Sequence, residues 1–171
     1  MIEIELTQGQ VTYVDDVDAD LAELKWHAAF KSGYTNGGNF LAYRRCERLN
    51  GKRRSEALHR VVMARMLERE LEKGEQVDHI NGDPLNNSRS NLRLATHGQN
   101  MSNRRVQVNN TSGYKGVTFR VKRNKYESAI SYNGSMIYLG YFESAINAAK
   151  AYDAAALEHF GEFAVLNFPD G

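Results

Sequence analysis

Long helical periodicity occurs in only two stretches of this chain, and that restricts its architecture more than any other feature. From Glu56 to Leu71 the apolar residues Leu58, Val61, Val62, Met66 and Leu67 recur at helical spacing, with Gly74 placed to end the helix. Near the C-terminus, Ser144 is positioned to cap an alanine-rich helix that runs to Gly161. Most of the remainder reads as short β-prone runs cut by Gly and Asn. Ile2 to Leu6 alternates, Thr12 to Val14 is β-prone, and Gly33 to Asn39 is turn chemistry. A shorter helix is expected over Asp20 to Phe30. Gln76–Ile80 reads as a strand, 81–87 as a loop, 91–95 as a second strand, and Thr96 as the cap of a helix to about Arg105. After a polar linker at 107–113, strands are expected at 116–122, 126–132 and 136–142, the last two joined by Asn133-Gly134. The pattern predicts an α+β protein in three parts: a strand-rich region over 1–57, a strand-loop-strand-helix unit over 58–106, and a three-stranded antiparallel sheet with one helix over 107–171.

Composition narrows the function. The chain has 171 residues, 42% hydrophobic and 25% charged, which fits a folded, water-exposed protein. No run approaches the roughly 20 apolar residues of a membrane span, and the N-terminus lacks a signal-peptide layout, so a cytoplasmic location is expected, in a bacterial or phage-infected cell. The single cysteine, Cys46, excludes an internal disulfide and a zinc ribbon. Net charge is only +1, but the average hides a segregation. Residues 1–30 hold seven acids against the single base Lys25, whereas residues 88–126 hold nine Lys and Arg and no acid at all. A second basic group, Arg44, Arg45, Arg48, Lys52, Arg53 and Arg54, lies upstream. An acid-free stretch of that length favours a polyanionic partner over a solvated face, which normally mixes both signs.

The residues with most chemical content are Asp78 and His79 at a strand end, followed by Asn81-Gly82, Asn91, and Asn100 on the next helix. A carboxylate and a carboxamide are hard oxygen ligands for a divalent cation, and an adjacent imidazole can take a proton from water. Asp78 and His79 point to opposite faces of their strand.

The segment VDHINGDPLNNSRSNLRLATHGQNMSNR resembles the ββα-metal motif of HNH endonucleases, in the subgroup of phage homing and nicking enzymes, and Leu58-His59-Arg60 resembles the stretch that leads into it. The resemblance covers about 58–106. It implies His79 as general base, Asp78 and Asn100 as ligands of one Mg²⁺ or Mn²⁺, and Asn91 as the residue that pins the loop and orients the base. Asn100 stands where other members carry His. His59 is read as a packing or phosphate-positioning residue.

Residues 110–169 are similar to a second family, the AP2 domains. The resemblance rests on Tyr114-Lys115-Gly116-Val117, Leu139-Gly140-Tyr141-Phe142, the alanine-rich helix with Tyr152 and Asp153, and Leu166-Asn167-Phe168-Pro169. It implies a sheet face lying in the DNA major groove. Strand alternation independently turns Val117, Phe119 and Val121 toward the helix and Thr118, Arg120 and Lys122 outward, with Glu127, Ala129, Ser131, Met136 and Tyr138 on that same face. Ile146, Ala149, Tyr152, Ala156 and Phe160 are read as core. Expected DNA contacts are Lys115, Arg120, Lys122 and Tyr138, with Arg104 and Arg105 at the end of the preceding helix. At Thr118, Lys122, Ala129 and Ser131 the chain departs from the plant pattern, so the target sequence does not carry over. A weaker resemblance at Val14-Asp15-Asp16 and Lys25-Trp26 links the N-terminal part to similar phage enzymes, with Trp26 as a core anchor.

The expectation is a metal-dependent endonuclease that nicks double-stranded DNA as a monomer, placed by its AP2-like segment. The alternatives are a DNA-binding regulator without catalysis, and an RNA-binding or RNA-cleaving protein.

Overall fold

The structure, a computed structural model, describes residues 1–31, 39–49, 52–102 and 110–169. Two compact units divide the chain, Met1–His97 and Gly98–Gly171.

The first unit begins with an antiparallel pair, β1 (Ile2–Glu5) and β2 (Val11–Val14). A three-stranded antiparallel sheet follows, β3 (His27–Lys31), β4 (Asn39–Leu49) and β5 (Lys52–Ala57), with β4 in the middle. Helix α1 (Leu58–Leu67) comes next and stops where Glu68 turns left-handed at φ 53°. It is shorter than the periodicity predicts, and Glu68 ends it before Gly74 is reached. The unit closes with the hairpin β6 (Gln76–His79) and β7 (Leu92–Ala95). One core joins β1, β2, β3, β4, α1, β6 and β7: Ile4, Val14, Trp26, Ala28, Ala42, Leu58, Val62, Val77 and Leu92 pack together. Leu58 and Val62 are wholly buried, so Leu58→Ala should lose about 2–5 kcal/mol.

The helix expected over Asp20–Phe30 does not form. Asp16–Glu23 is instead a kinked 3₁₀ segment, and His27–Lys31 is β3. The cause is polar. Asp18 is fully buried and receives hydrogen bonds from Arg89 Nε at 2.8 Å and Arg65 at 3.2 Å, while Asp20 takes both amino groups of Arg65 at 2.7 Å. Those partners fix the backbone of the acidic run in a shape that an α-helix would not provide. Trp26 lies in the core with its indole N–H on the Leu21 carbonyl at 2.8 Å.

In the second unit, the short helix α2 (His97–Ser102), which begins at the unit boundary, precedes β8 (Val117–Arg120), β9 (Lys125–Tyr132), β10 (Ser135–Phe142) and helix α3 (Ala145–Phe160). The three strands form one antiparallel sheet with β9 central. Asn133 (φ 49°) and Gly134 (φ 78°) make the tight turn between β9 and β10. Ser144 caps α3, accepting from the Asn147 N–H at 3.1 Å. Ile130, Tyr152, Ala155 and Ala156 pack as one cluster, and Val117, Ala148 and Ala149 as another. Gly116 has φ 72°, and a Cβ there would run into the Tyr152 ring, so both backbone and space demand glycine. Two expected core residues lie outside. Val121 is 80% exposed because β8 ends at Arg120 and the chain turns through Asn124 at φ 51°. Ile146, in the first turn of α3, is half exposed.

Among the described residues no helix is long and apolar enough to cross a membrane.

Candidate active site

Asp78 and His79 end β6, and both are buried. Cross-strand register explains the partner of Asp78. It lies directly opposite Arg93 on β7, whose Nε and Nη2 both reach Asp78 Oδ2 at 2.9 Å. The guanidinium balances the buried carboxylate.

The loop between the two strands is fixed by its own side chains. Gly82 closes a turn onto the His79 carbonyl at 2.8 Å with φ 72°, a conformation that glycine adopts without strain. Asn81 Oδ1 accepts from Asp83 N–H, Asp83 Oδ1 from Leu85 N–H, and Asn86 Oδ1 from Ser88 N–H, three Asx turns in succession. Asn91 closes the loop from the far side. Its Oδ1 accepts from the Asn81 N–H at 3.0 Å, and its Nδ2 donates to the Asn86 carbonyl at 2.7 Å.

Asn91 therefore ties the loop, while the carboxamide bonded to the imidazole belongs to another residue. His79 Nε2 lies 3.2 Å from Asn87 Oδ1. Asn87 is fully buried and donates from Nδ2 to Thr12 Oγ1 at 2.7 Å, and Thr12 in turn donates to the Leu85 carbonyl at 2.6 Å. Strand β2 docks on the loop by backbone as well, through Tyr13 N–H to Leu85 and Asn87 N–H to the Tyr13 carbonyl. Arg89 is drawn in by Asp15, which accepts its backbone N–H at 2.7 Å, and by Asp18. The sequence reading missed Thr12, Asp18 and Asn87.

A second imidazole packs against that of His79. The His59 ring, at the start of α1, meets the His79 ring edge to face with centroids 5.3 Å apart. Burial pushes His59 down to about 3 and, more modestly, lowers His79 from 6.5, where the Asn87 hydrogen bond and the neighbouring Asp78 oppose the shift. Both rings are neutral at pH 7, the state a proton acceptor needs.

Asn100 is the fourth residue of α2 and half-buried. Among the described residues there is no group of three His, Cys, Asp or Glu side chains arranged to hold a metal. An Asp carboxylate with an Asn carboxamide is an all-oxygen set, whose donor chemistry fits a hard ion such as Mg²⁺ or Mn²⁺ and suits a soft one poorly.

The expected DNA contacts in the second unit differ in exposure. Arg120 is half exposed and holds Glu127 through Nε at 3.0 Å and Nη2 at 2.5 Å. Lys122 is exposed in the turn after β8, and Tyr138 is 53% exposed on β10. Tyr138 packs edge to face on Tyr141, which in turn lies under the Arg123 guanidinium at 4.7 Å. Lys115 is turned inward. Its ammonium sits over the Tyr152 ring at 5.8 Å, its backbone is bracketed by the Asn167 carboxamide, and burial pushes it down to about 8. Arg104 and Arg105, and the side chains of Arg48, Lys52 and Arg53, lie outside the described residues. Arg45 and Arg54 are exposed on β4 and β5, whereas Arg44 is held by Glu56 at 2.6 Å.

The β6–β7 hairpin thus presents a buried Asp-His pair and leads into the short helix α2. Known proteins share this segment. Residues 56–102 match the family model described as HNH endonuclease. An uncharacterized HNH endonuclease of Acanthamoeba polyphaga mimivirus is 36% identical over 110 residues, 64% of this chain and 56% of the relative. Protein 3.8 of Escherichia phage T7 is 38% identical over 64 residues, 37% of this chain and 53% of that protein. APETALA2-like protein 2 of Oryza sativa is 43% identical over 65 residues, 38% of this chain and 15% of the plant protein. The chain thus spans about half the length of the viral relatives it matches. Residues 56–102 are thus similar to HNH endonucleases, and another part of the chain is similar to AP2 proteins.

Proposed function

We propose that the chain hydrolyses a phosphodiester of double-stranded DNA, leaving 5′-phosphate and 3′-hydroxyl ends, in the manner of homing and nicking enzymes. The observation that carries this reading is the buried His79 imidazole held on Asn87 beside Asp78, within the segment that matches HNH endonucleases. His79 takes a proton from a water as that water attacks phosphorus in line with the departing 3′ oxygen. Asn91 and the Asx turns keep the loop from shifting, so the imidazole meets the water without reorganisation. Asp78 and Asn100 would hold one Mg²⁺ or Mn²⁺, which when bound supplies charge neutralisation at the phosphate and the leaving oxygen. One chain carries one Asp78-His79 site, so each event cuts one strand and a monomer suffices for a nick.

In this reading, residues 58–106 supply the chemistry with 1–57 as support, and 107–171 place the enzyme. The sheet of β8, β9 and β10 against α3 then acts as an AP2-like reader. Arg120, Lys122 and Tyr138 face the major groove, and Arg104 and Arg105 approach the phosphates. Lys115, packed over Tyr152, contributes more to the fold than to the groove. The host-cell cytoplasm is where such an enzyme meets its DNA.

Supercoiled plasmid incubated with Mg²⁺ or Mn²⁺ tests the reading. Open circles carrying 5′-phosphates, abolished by chelator, are expected. Intact plasmid under every divalent ion, with DNA still bound, would favour a regulator instead.

A further inference from the structure

We propose that Thr12, on β2 and outside the segment that matches the HNH family, is a positioning residue that fixes which nitrogen of His79 carries the proton. The inference rests on the nuclease reading for its consequence and on hydrogen-bond accounting for its content.

The accounting starts at Thr12. Its hydroxyl has one proton, and that proton goes to the Leu85 carbonyl at 2.6 Å. Toward Asn87 the hydroxyl can therefore only accept, so the atom facing it at 2.7 Å must be the Nδ2 amide donor. The Leu85 carbonyl, 3.4 Å from the same Nδ2, favours that orientation too. Oδ1 of Asn87 is thereby turned to His79, where it can only accept, and the neutral ring must place its proton on Nε2. Nδ1 is left as the basic nitrogen. When the water proton moves to Nδ1, the imidazolium keeps its Nε2–H bond to Asn87, which lies across an already satisfied network. Thr12 and Asn87 are both fully buried, so water cannot substitute for either partner without a rearrangement. Rotating the Asn87 amide would aim a donor at His79 Nε2, force the proton to Nδ1, and remove the base.

The test is nitrogen-15 NMR of the His79 ring in the full chain at neutral pH without DNA or metal, paired with single-turnover plasmid nicking in Mg²⁺. Wild-type protein and Thr12→Ser should show a single Nε2–H tautomer and equal cutting rates. Thr12→Val should add an Nδ1–H population and cut about tenfold more slowly at saturating DNA, within the ~10²–10⁴ that a positioned base contributes, with unchanged DNA affinity. An Nδ1–H tautomer in the wild type overturns the proposal whether or not the variants fold. So does a Thr12→Val protein identical to wild type in tautomer and rate. Absence of nicking by the wild type would refute the nuclease reading alone, and the tautomer would still decide the role of Thr12.

Discussion

The hairpin site of the first unit and the outward sheet face of the second use polar residues in opposite ways. Around His79 the polar groups are buried and each is committed: Thr12, Asp18, Asn87 and Asn91 are all at most 7% exposed, and each has hydrogen-bond partners within the protein. On the sheet, Thr118, Arg120, Ser131 and Tyr138 are open to solvent, and the pairing of Arg120 with Glu127 is a surface ion pair that contributes little to stability. Under the proposed function, the difference is what chemistry and recognition respectively require. Proton transfer needs a group that does not move, and burial with full satisfaction enforces that. Reading a duplex needs side chains that exchange water and a weak intramolecular partner for a base or phosphate, at little loss.

Substitutions should separate the two regions, beginning with the largest effect. His79→Ala should lower single-turnover cutting by ~10²–10⁴ and leave DNA affinity within about twofold, because the ring transfers a proton and does not grip the duplex. Asp18→Ala should lose about 3 kcal/mol in urea unfolding, since two arginines are left facing an emptied buried site. Burial raises the Asp18 carboxyl, but hydrogen bonds from Arg89 and Arg65 outweigh that and hold it below its ordinary 3.8. Its contribution is therefore present above the ordinary 3.8 and is lost as pH falls through the lowered folded value, so the stability gap between wild type and variant should narrow in acid. Asn91→Ala should lose ~1–3 kcal/mol by stranding the Asn81 N–H and the Asn86 carbonyl, with slower cutting as the loop loosens. Glu127→Gln is the smallest. It should change stability by under about 1 kcal/mol and strengthen DNA binding by freeing Arg120, which salt titration of binding would reveal.

Legibility in the sequence follows the same division. The sheet of the second unit is local: alternation assigns Thr118, Arg120, Glu127 and Ser131 to one face, Asn133-Gly134 announces the hairpin, and Ser144 announces the helix. Its errors are local as well, since Val121 follows the end of a strand that stops two residues sooner than alternation extends it. In the hairpin site, Asp78 and His79 stand out because their residue types carry chemistry wherever they sit. Asn87 does not, being one of several loop asparagines, and Thr12 lies 75 residues away from it. No spacing rule links a threonine in the second strand to the loop after His79. The helix expected over Asp20–Phe30 failed for a related reason: nothing local to the acidic run Asp15 to Asp20 announces that its carboxylates are the anchors of Arg65 and Arg89.

The claim that one region cuts and the other reads is tested most directly by binding and cutting measured on the same pool of randomised duplexes, with wild type, His79→Ala and Arg120→Ala. The account predicts that His79→Ala selects the wild-type site with the same stringency and leaves it intact. Arg120→Ala should cut each bound duplex at the wild-type rate while its preference at one base position relaxes by ~1–3 kcal/mol. If His79→Ala lost site selection, or if Arg120→Ala kept the site and lost the chemical rate, the division between the buried hairpin and the open sheet would be contradicted.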